Sequence, residues 1–285
     1  MTKEKIGIIV CGNSGIDYLK IDFPVEVIRS TLLLGGKEYE DFIDITAEEF
    51  YDVISNNPNI DLSTSQTATG KIADVYEKMK NEGYTDIIVI TIASKLSGTF
   101  QGAILAKELV DGVNVYVIDS RSVSQGEVYL VMEAIKMIKE NHDVKSIIDK
   151  LEKIRDNINI YVLVDTLKFL VKNGRLSATS GFLGSLLKIK PLLKLQKDGS
   201  LVPYEKIRTS SKAQERLLAI TNQEIKGKNV EVFIVFTNNE ELAKKLKQII
   251  LNENPQLEDI ALVPLTPVVG AHAGPGTLAV GYILK

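Results

Sequence analysis

Over the first 157 residues, short β-branched apolar runs alternate with segments whose apolar positions recur every three or four residues. Residues 6–10, 85–93 and 113–119 are too short and too uniformly apolar for surface helices. They read as strands of a parallel sheet covered on both faces. Between and after them, Ile72, Val75, Tyr76 and Met79, and then residues 102–110, 127–141 and 144–157, carry apolar side chains at helical spacing. Residues 46–55 form a further helix, capped by Thr46 with Glu49 at the reciprocal position and with Phe50, Val53 and Ile54 facing inward. Residues 25–34 are β-rich, and Gly35-Gly36 supplies a hairpin turn into residues 37–39. Strand–helix alternation of this kind implies a parallel sheet with helices on both sides.

The pattern changes near Ile158. A strand over residues 158–164 is followed by a short helix at 167–171, stopped by Asn173-Gly174-Arg175 with Gly174 as a left-handed C-cap. Phe182, Leu183, Leu186 and Leu187 fall at helical spacing. Residues 188–195 contain Lys190-Pro191, Asp198-Gly199 reads as a turn, and residues 201–208 are strand-like. A helix at 213–225, a strand at 231–236, a helix at 239–251 and a strand at 259–265 continue the alternation. Residues 266–278 read as an irregular loop around His272, held by Gly270, Gly274, Pro275 and Gly276. The expected fold class is α/β with two α/β domains, 1–157 and 158–285. The first is expected to have a mainly parallel sheet and the second a mixed αβ sandwich.

Composition narrows the function. An apolar content of 45% supports a packed core. Thirty-four basic against 37 acidic residues give a net charge of −3, which argues against nucleic acid as a partner. No run of 18 apolar residues suggests a transmembrane helix, and residues 6–10 are too short for a signal peptide, so a cytoplasmic protein is expected. One cysteine, Cys11, and two histidines, His142 and His272, exclude an internal disulfide and a histidine-rich metal cluster. Cys11 is expected to be buried at the end of the first strand.

Candidate chemistry concentrates where strands give way to helices. After the strand at 85–93 comes S-K-L-S-G-T-F-Q (94–101), in which Ser97, Gly98 and Thr99 precede a helix. Ser97 reads as its N-cap, and a helix start also suits an anion. Both readings stand. Residues 63–70, S-T-S-Q-T-A-T-G, bring Thr64 and Ser65 to another helix start, either as ligand donors or as a capping loop with spare hydroxyls. Asn13 and Ser14 follow the first strand, in a turn or a ligand loop that lacks the G-x-G-x-x-G spacing. Asp119-Ser120 lies at the carboxyl end of a strand, the ligand side of such a sheet.

Together, Thr64-Ser65-Gln66, the 94–99 stretch, Asp119-Ser120, residues 167–175 with Gly174-Arg175, Lys190-Pro191, and His272 with Gly274-Pro275-Gly276 resemble the DegV family of fatty-acid-binding proteins along nearly the whole chain. The resemblance implies an acyl chain, such as palmitate, stearate or oleate, in a tunnel between the two domains, with no other cofactor and no metal. Its carboxylate would be held by Thr64 and Ser97, with His272 beside it. Ser65, Gly98, Thr99, Asn13, Ser14 and Asp119 would surround that head group. The bound acid would be presented to a separate fatty acid kinase that makes acyl phosphate for phospholipid synthesis. Arg175 and Arg208 would meet the phosphate or the kinase, and transient contact with a membrane surface is compatible with such a role. Phe169, Leu170, Phe182, Leu183, Leu186 and Leu187 are tunnel candidates, with packing of the second domain as the alternative. Asn13 stands where the family usually has Asp, Thr67-Ala68 where Pro-Ser is usual, and Ala273 where Thr or Val is common. About fifteen buried methylenes at ~0.8 kcal/mol each, on the order of 12 kcal/mol before binding costs, would supply most of the affinity.

Two enzymatic readings compete. A hydrolase would use Ser97 as nucleophile, His272 as base and Asp119 as orienter, although L-S-G-T is not a G-x-S-x-G elbow. A stand-alone kinase lacks G-x-x-x-x-G-K-[ST] and an obvious magnesium-ligand cluster.

Overall fold

The computed structural model describes residues 4–177 and 189–285. Phe182, Leu183, Leu186 and Leu187 lie outside the described residues.

The first sheet is wholly parallel. Its strands β1 (Ile6–Cys11), β2 (Val25–Ile28), β6 (Asp86–Thr91) and β7 (Asn114–Asp119) stand in the order β2-β1-β6-β7. Alternation along these strands divides two apolar cores. Ile9, Cys11, Ile87, Val89 and Val115 face the helices Thr69–Asn81 and Thr99–Lys107, meeting Ile72, Tyr76, Met79 and Ala103. Cys11 is buried there, as expected. Ile8, Val10, Ile88, Ile90 and Ile118 face the other way and share one cluster with the helices Gln125–Lys139 and Val144–Arg155.

The second sheet is mixed. It runs β10 (Leu201–Ile207), β9 (Lys190–Leu195), β8 (Ile158–Leu163), β13 (Leu278–Leu284), β11 (Val230–Phe236) and β12 (Ala261–Pro264). Every pair is antiparallel except β11–β12. Tyr161, Leu163, Ile234, Val280 and Tyr282 face the helices Ser210–Ile225 and Glu240–Glu253. Ile158, Ile160, Phe233, Val235 and Ala279 face the first sheet's cluster. The chain is thus an α/β protein with one parallel and one mixed sheet.

A small antiparallel sheet completes the fold, with β4 (Lys37–Glu40), β3 (Thr31–Leu34) and β5 (Leu62–Ser65) in the order β4-β3-β5. The expected hairpin is present: Gly35 and Gly36 both take positive φ (58° and 79°), the geometry a two-residue turn of matching twist requires. The helix Ala47–Asn56 carries the expected Thr46–Glu49 capping box. Its Phe50, Tyr51 and Ile54 pack with Leu32, Leu34 and Leu62, and with Val268 and Ala271 from the helix Pro267–Ala273.

Three local expectations are corrected. Ser63, Thr64 and Ser65 belong to β5, paired with Leu33, Leu32 and Thr31, rather than to a loop. Residues 267–273 are helical, with Pro267 at the first turn, whereas an irregular loop was expected. The unpredicted β13 is a central strand of the second sheet. Glycine interrupts the last two segments (Gly270 and Gly281), and the first is a short run of hydroxyl residues, so each is locally a poor helix or strand former. Tertiary contacts impose its form. The side chain of Tyr51 occupies the space a Cβ at Gly270 would need, 2.2 Å from its hydroxyl. Asp41 Oδ1 accepts the Val268 N–H at 3.2 Å, supplying the helix start with an acceptor.

Candidate functional site

The carboxyl ends of β1, β6 and β7 and the inner face of the second sheet enclose a cavity with about 1060 Å³ of atom-free space, its open mouth included. Its two ends differ in chemistry. Ile160, Val162, Leu195, Leu201, Phe233, Val235 and Ala279 make an apolar wall from five strands of the second sheet. Thr64, Gln66, Ser97, Arg175 and His272 converge on the same cavity from segments far apart in sequence.

Thr64 and His272 meet directly, Oγ1 to Nε2 at 2.8 Å. The short helix Pro267–Ala273 lies against β3 and β5, which brings its last turn to Thr64. Burial, and then the charge of Arg175, push the His272 imidazole down to about 4, so it is neutral at physiological pH. Among the described residues its Nδ1 has no hydrogen-bond partner.

Ser97 is not the N-cap. The helix begins at Thr99 with Gly98 in the capping position, and Ser97 precedes it. The Thr99 N–H donates to Ser97 Oγ at 3.2 Å, and the two hydroxyls lie 2.9 Å apart. The missing side chain of Gly98 makes room for Gln66, whose Oε1 would stand 2.2 Å from a Cβ there. This close approach joins the end of β5 to the loop after β6.

Asn13 lines the cavity and donates through Nδ2 to Glu127 Oε1 at 2.6 Å. Glu127 also accepts the Ser124 N–H at 3.0 Å and is completely buried. Burial pushes its carboxyl well above the ordinary range. An asparagine beside this buried carboxyl avoids the repulsion that a second carboxylate would bring. Ser124, also on the cavity, holds an unusual backbone (φ 55°, ψ −127°) at the start of its helix.

The remaining candidates divide between the cavity and other places. Ser14 is buried and accepts the Ile16 N–H. Ser65 is exposed. Asp119 Oδ1 accepts the N–H groups of Ser94 (3.2 Å) and Arg121 (2.9 Å), tying two loops together away from the cavity lining. Arg175 faces the cavity and donates to the carbonyls of Leu96 and Asn173. Arg208 is exposed beyond β10 and is not part of the lining. Leu170 lines the cavity, whereas Phe169 packs where a Cβ at Gly274 would fall.

Several residues on the cavity were not singled out as site residues from sequence: Gln66, Ser30, Ser124, Thr277 and the apolar wall. Gln66 had a readable signal, being the third member of the Thr64-Ser65-Gln66 motif. The wall had none, because its residues read as ordinary core.

Comparison with known proteins agrees with this architecture. The profile of the family described as "Uncharacterised protein, DegV family" matches residues 5–285, and the chain belongs to that family. A DegV domain-containing protein of Staphylococcus aureus is 37% identical over 253 residues, 87% of this chain and 86% of that protein. Among solved structures, a fatty acid binding DegV family protein from Streptococcus agalactiae superposes with a TM-score of 0.89 at 27% identity, covering 99% of each chain. DegV of Bacillus subtilis, described as a fatty acid binding protein, gives a TM-score of 0.88 at 27% identity, covering 99% of this chain and 100% of that one.

Proposed function

We propose that this chain binds a long-chain fatty acid between its two sheets, the tail along the apolar wall and the carboxylate at Thr64 and Ser97, and presents it to a separate fatty acid kinase. The observation that carries the binding half is the cavity itself, which joins one apolar strand wall to one cluster of hydroxyl donors. The hydrogen bonds suggest how each hydroxyl is readied. With the imidazole proton on Nε2, His272 donates to Thr64 Oγ1, which leaves the Thr64 proton for the ligand. The Thr99 N–H donates to Ser97 Oγ, and a proton from the Thr99 hydroxyl leaves that of Ser97 equally free. A carboxylate then receives two O–H donors whose oxygens are already held. Arg175 adds positive charge at the same end without carrying the whole recognition.

Presentation to a kinase rests on the family likeness, with exposed Arg208 as the candidate contact. The hydrolase reading is less favoured. Ser97 bonds to Thr99, His272 to Thr64 and Asp119 to backbone N–H groups, so the hydrogen bonds do not link the three into a relay.

The test begins with protein purified from cells. Native mass spectrometry is expected to find a bound fatty acid, and delipidated protein is expected to take up palmitate or oleate. The double variant Thr64→Ala, Ser97→Ala should bind more weakly. With a fatty acid kinase and ATP, the loaded chain should support acyl phosphate formation, slowed by Arg208→Glu without loss of fatty acid binding. Delipidated protein that ignores every fatty acid would end the reading.

A further inference from the structure

Accepting the fatty acid reading, we propose that Phe233 and Gly281 form the stop that sets how long an acyl chain the cavity takes. The register of the second sheet places this pair at the floor. The polar end is marked by His272 and by Thr277, which directly precedes β13. The first rung of inward-facing residues below it is Val162–Ala279–Val235, paired across β8, β13 and β11. Two residues further along each strand, roughly 7 Å away at ordinary strand rise, the next rung is Ile160–Gly281–Phe233. Ile160 and Phe233 line the cavity, as do Leu195 and Leu201, paired with each other on β9 and β10. The rung beyond, Ile158–Ile283–Glu231, contributes nothing to the lining, and Ile158 and Ile283 are buried in the core. Among the described residues, the lining along these three strands therefore ends at the second rung.

At that rung one position has no side chain. A Cβ at Gly281 would lie 2.1 Å from Cζ of Phe233 and 2.4 and 2.7 Å from its Cε atoms. The tip of the ring thus lies over Gly281, in the place any other residue at 281 would fill. Ile158 and Ile283 of the next rung are buried in the same cluster as the ring, and the ring borders the cavity, so a ring lifted off the strand has the cavity to move into. An aromatic ring laid over a strand glycine also protects exposed backbone, a purely structural role that the test must separate.

The full chain, delipidated, is compared with Gly281→Ala and Phe233→Leu for binding of saturated acids from decanoate to eicosanoate, with thermal unfolding of each variant. Gly281→Ala is expected to move the preferred length to shorter chains and Phe233→Leu to longer ones. Each methylene that gains or loses its place should change relative affinity about fourfold. The two variants push in opposite directions, so if one fails to fold the other still decides. An unchanged preferred length, or a uniform loss across all lengths, overturns the proposal and leaves only the structural role. A wild-type chain that binds none of the series removes the fatty acid reading itself, and the stop with it.

Discussion

The two ends of the cavity are built on opposite plans. The apolar end is regular: five strands of one sheet contribute inward-facing residues, and β8 and β11 contribute two each at a spacing of two. The polar end is irregular. Thr64 comes from the edge of a small antiparallel sheet, Ser97 from a loop, Arg175 from the segment just after a five-residue helix (Lys168–Lys172) and His272 from a seven-residue helix. The regular wall provides area and the irregular end provides direction. A ligand with both a tail and a head should therefore draw most of its affinity from the first and its orientation from the second.

The largest expected effect tests that division. Replacing palmitate by decanoate removes about six methylenes and should weaken binding by on the order of 5 kcal/mol. Removing both hydroxyls, in Thr64→Ala with Ser97→Ala, should weaken palmitate binding by only about 2–3 kcal/mol. Calorimetric titration of both protein forms with both acids checks the order, and a reversed order breaks the comparison.

A smaller effect concerns how the polar end is anchored. Asp41 and His272 sit near opposite ends of the same short helix, and burial acts on them with opposite signs. Burial raises the Asp41 carboxyl from 3.8 to about 6. It lowers the His272 imidazole, with help from Arg175, from 6.5 to about 4. Asp41 binds its proton more tightly in the folded chain, so it contributes stability below about pH 4 that is lost as pH rises through 6. His272 binds its proton less tightly when folded, so it contributes stability above about pH 6.5 that is lost as pH falls toward 4. Each contribution is on the order of 3 kcal/mol. Urea unfolding between pH 4 and 7.5 is expected to show Asp41→Asn gaining stability over the wild type as pH rises. His272→Gln should do the reverse and gain on the wild type as pH falls, because the two contributions oppose each other in the wild type. Parallel pH profiles for all three proteins would show that these groups do not titrate as their burial implies.

The smallest effect concerns Ser124, whose positive φ is costly for any residue with a Cβ. Ser124→Gly should stabilise the chain by about 1 kcal/mol in urea unfolding, and no gain would mean that its backbone carries no strain.

Much of the frame was legible before the fold was seen. Gly35-Gly36 required its hairpin, and Thr46 with Glu49 required a helix start. The β-branched runs around Ile8, Ile88 and Val117 required a sheet covered on both faces. The residues of the polar end were legible as types, because Thr64, Ser97 and His272 stand in stretches that resemble a known family. Their settings were not. Thr64 sits on a strand because β3 offers it an edge. His272 sits on a helix because Asp41 supplies an acceptor at its start and Tyr51 packs over Gly270. Asp41 and Tyr51 are more than two hundred residues distant from that helix in the chain, beyond the reach of local propensity.

What the sequence alone determined is the alternation of elements, the α/β class and the kinds of chemical group available at the strand ends. Only the tertiary structure decided which apolar residues border the cavity and which close the core. Ile160 and Tyr161 are neighbours on one strand, both buried, yet the first faces the cavity and the second the outer helices. Burial is all that hydrophobicity encodes. Whether a buried side chain meets another or a cavity depends on how two sheets are brought together.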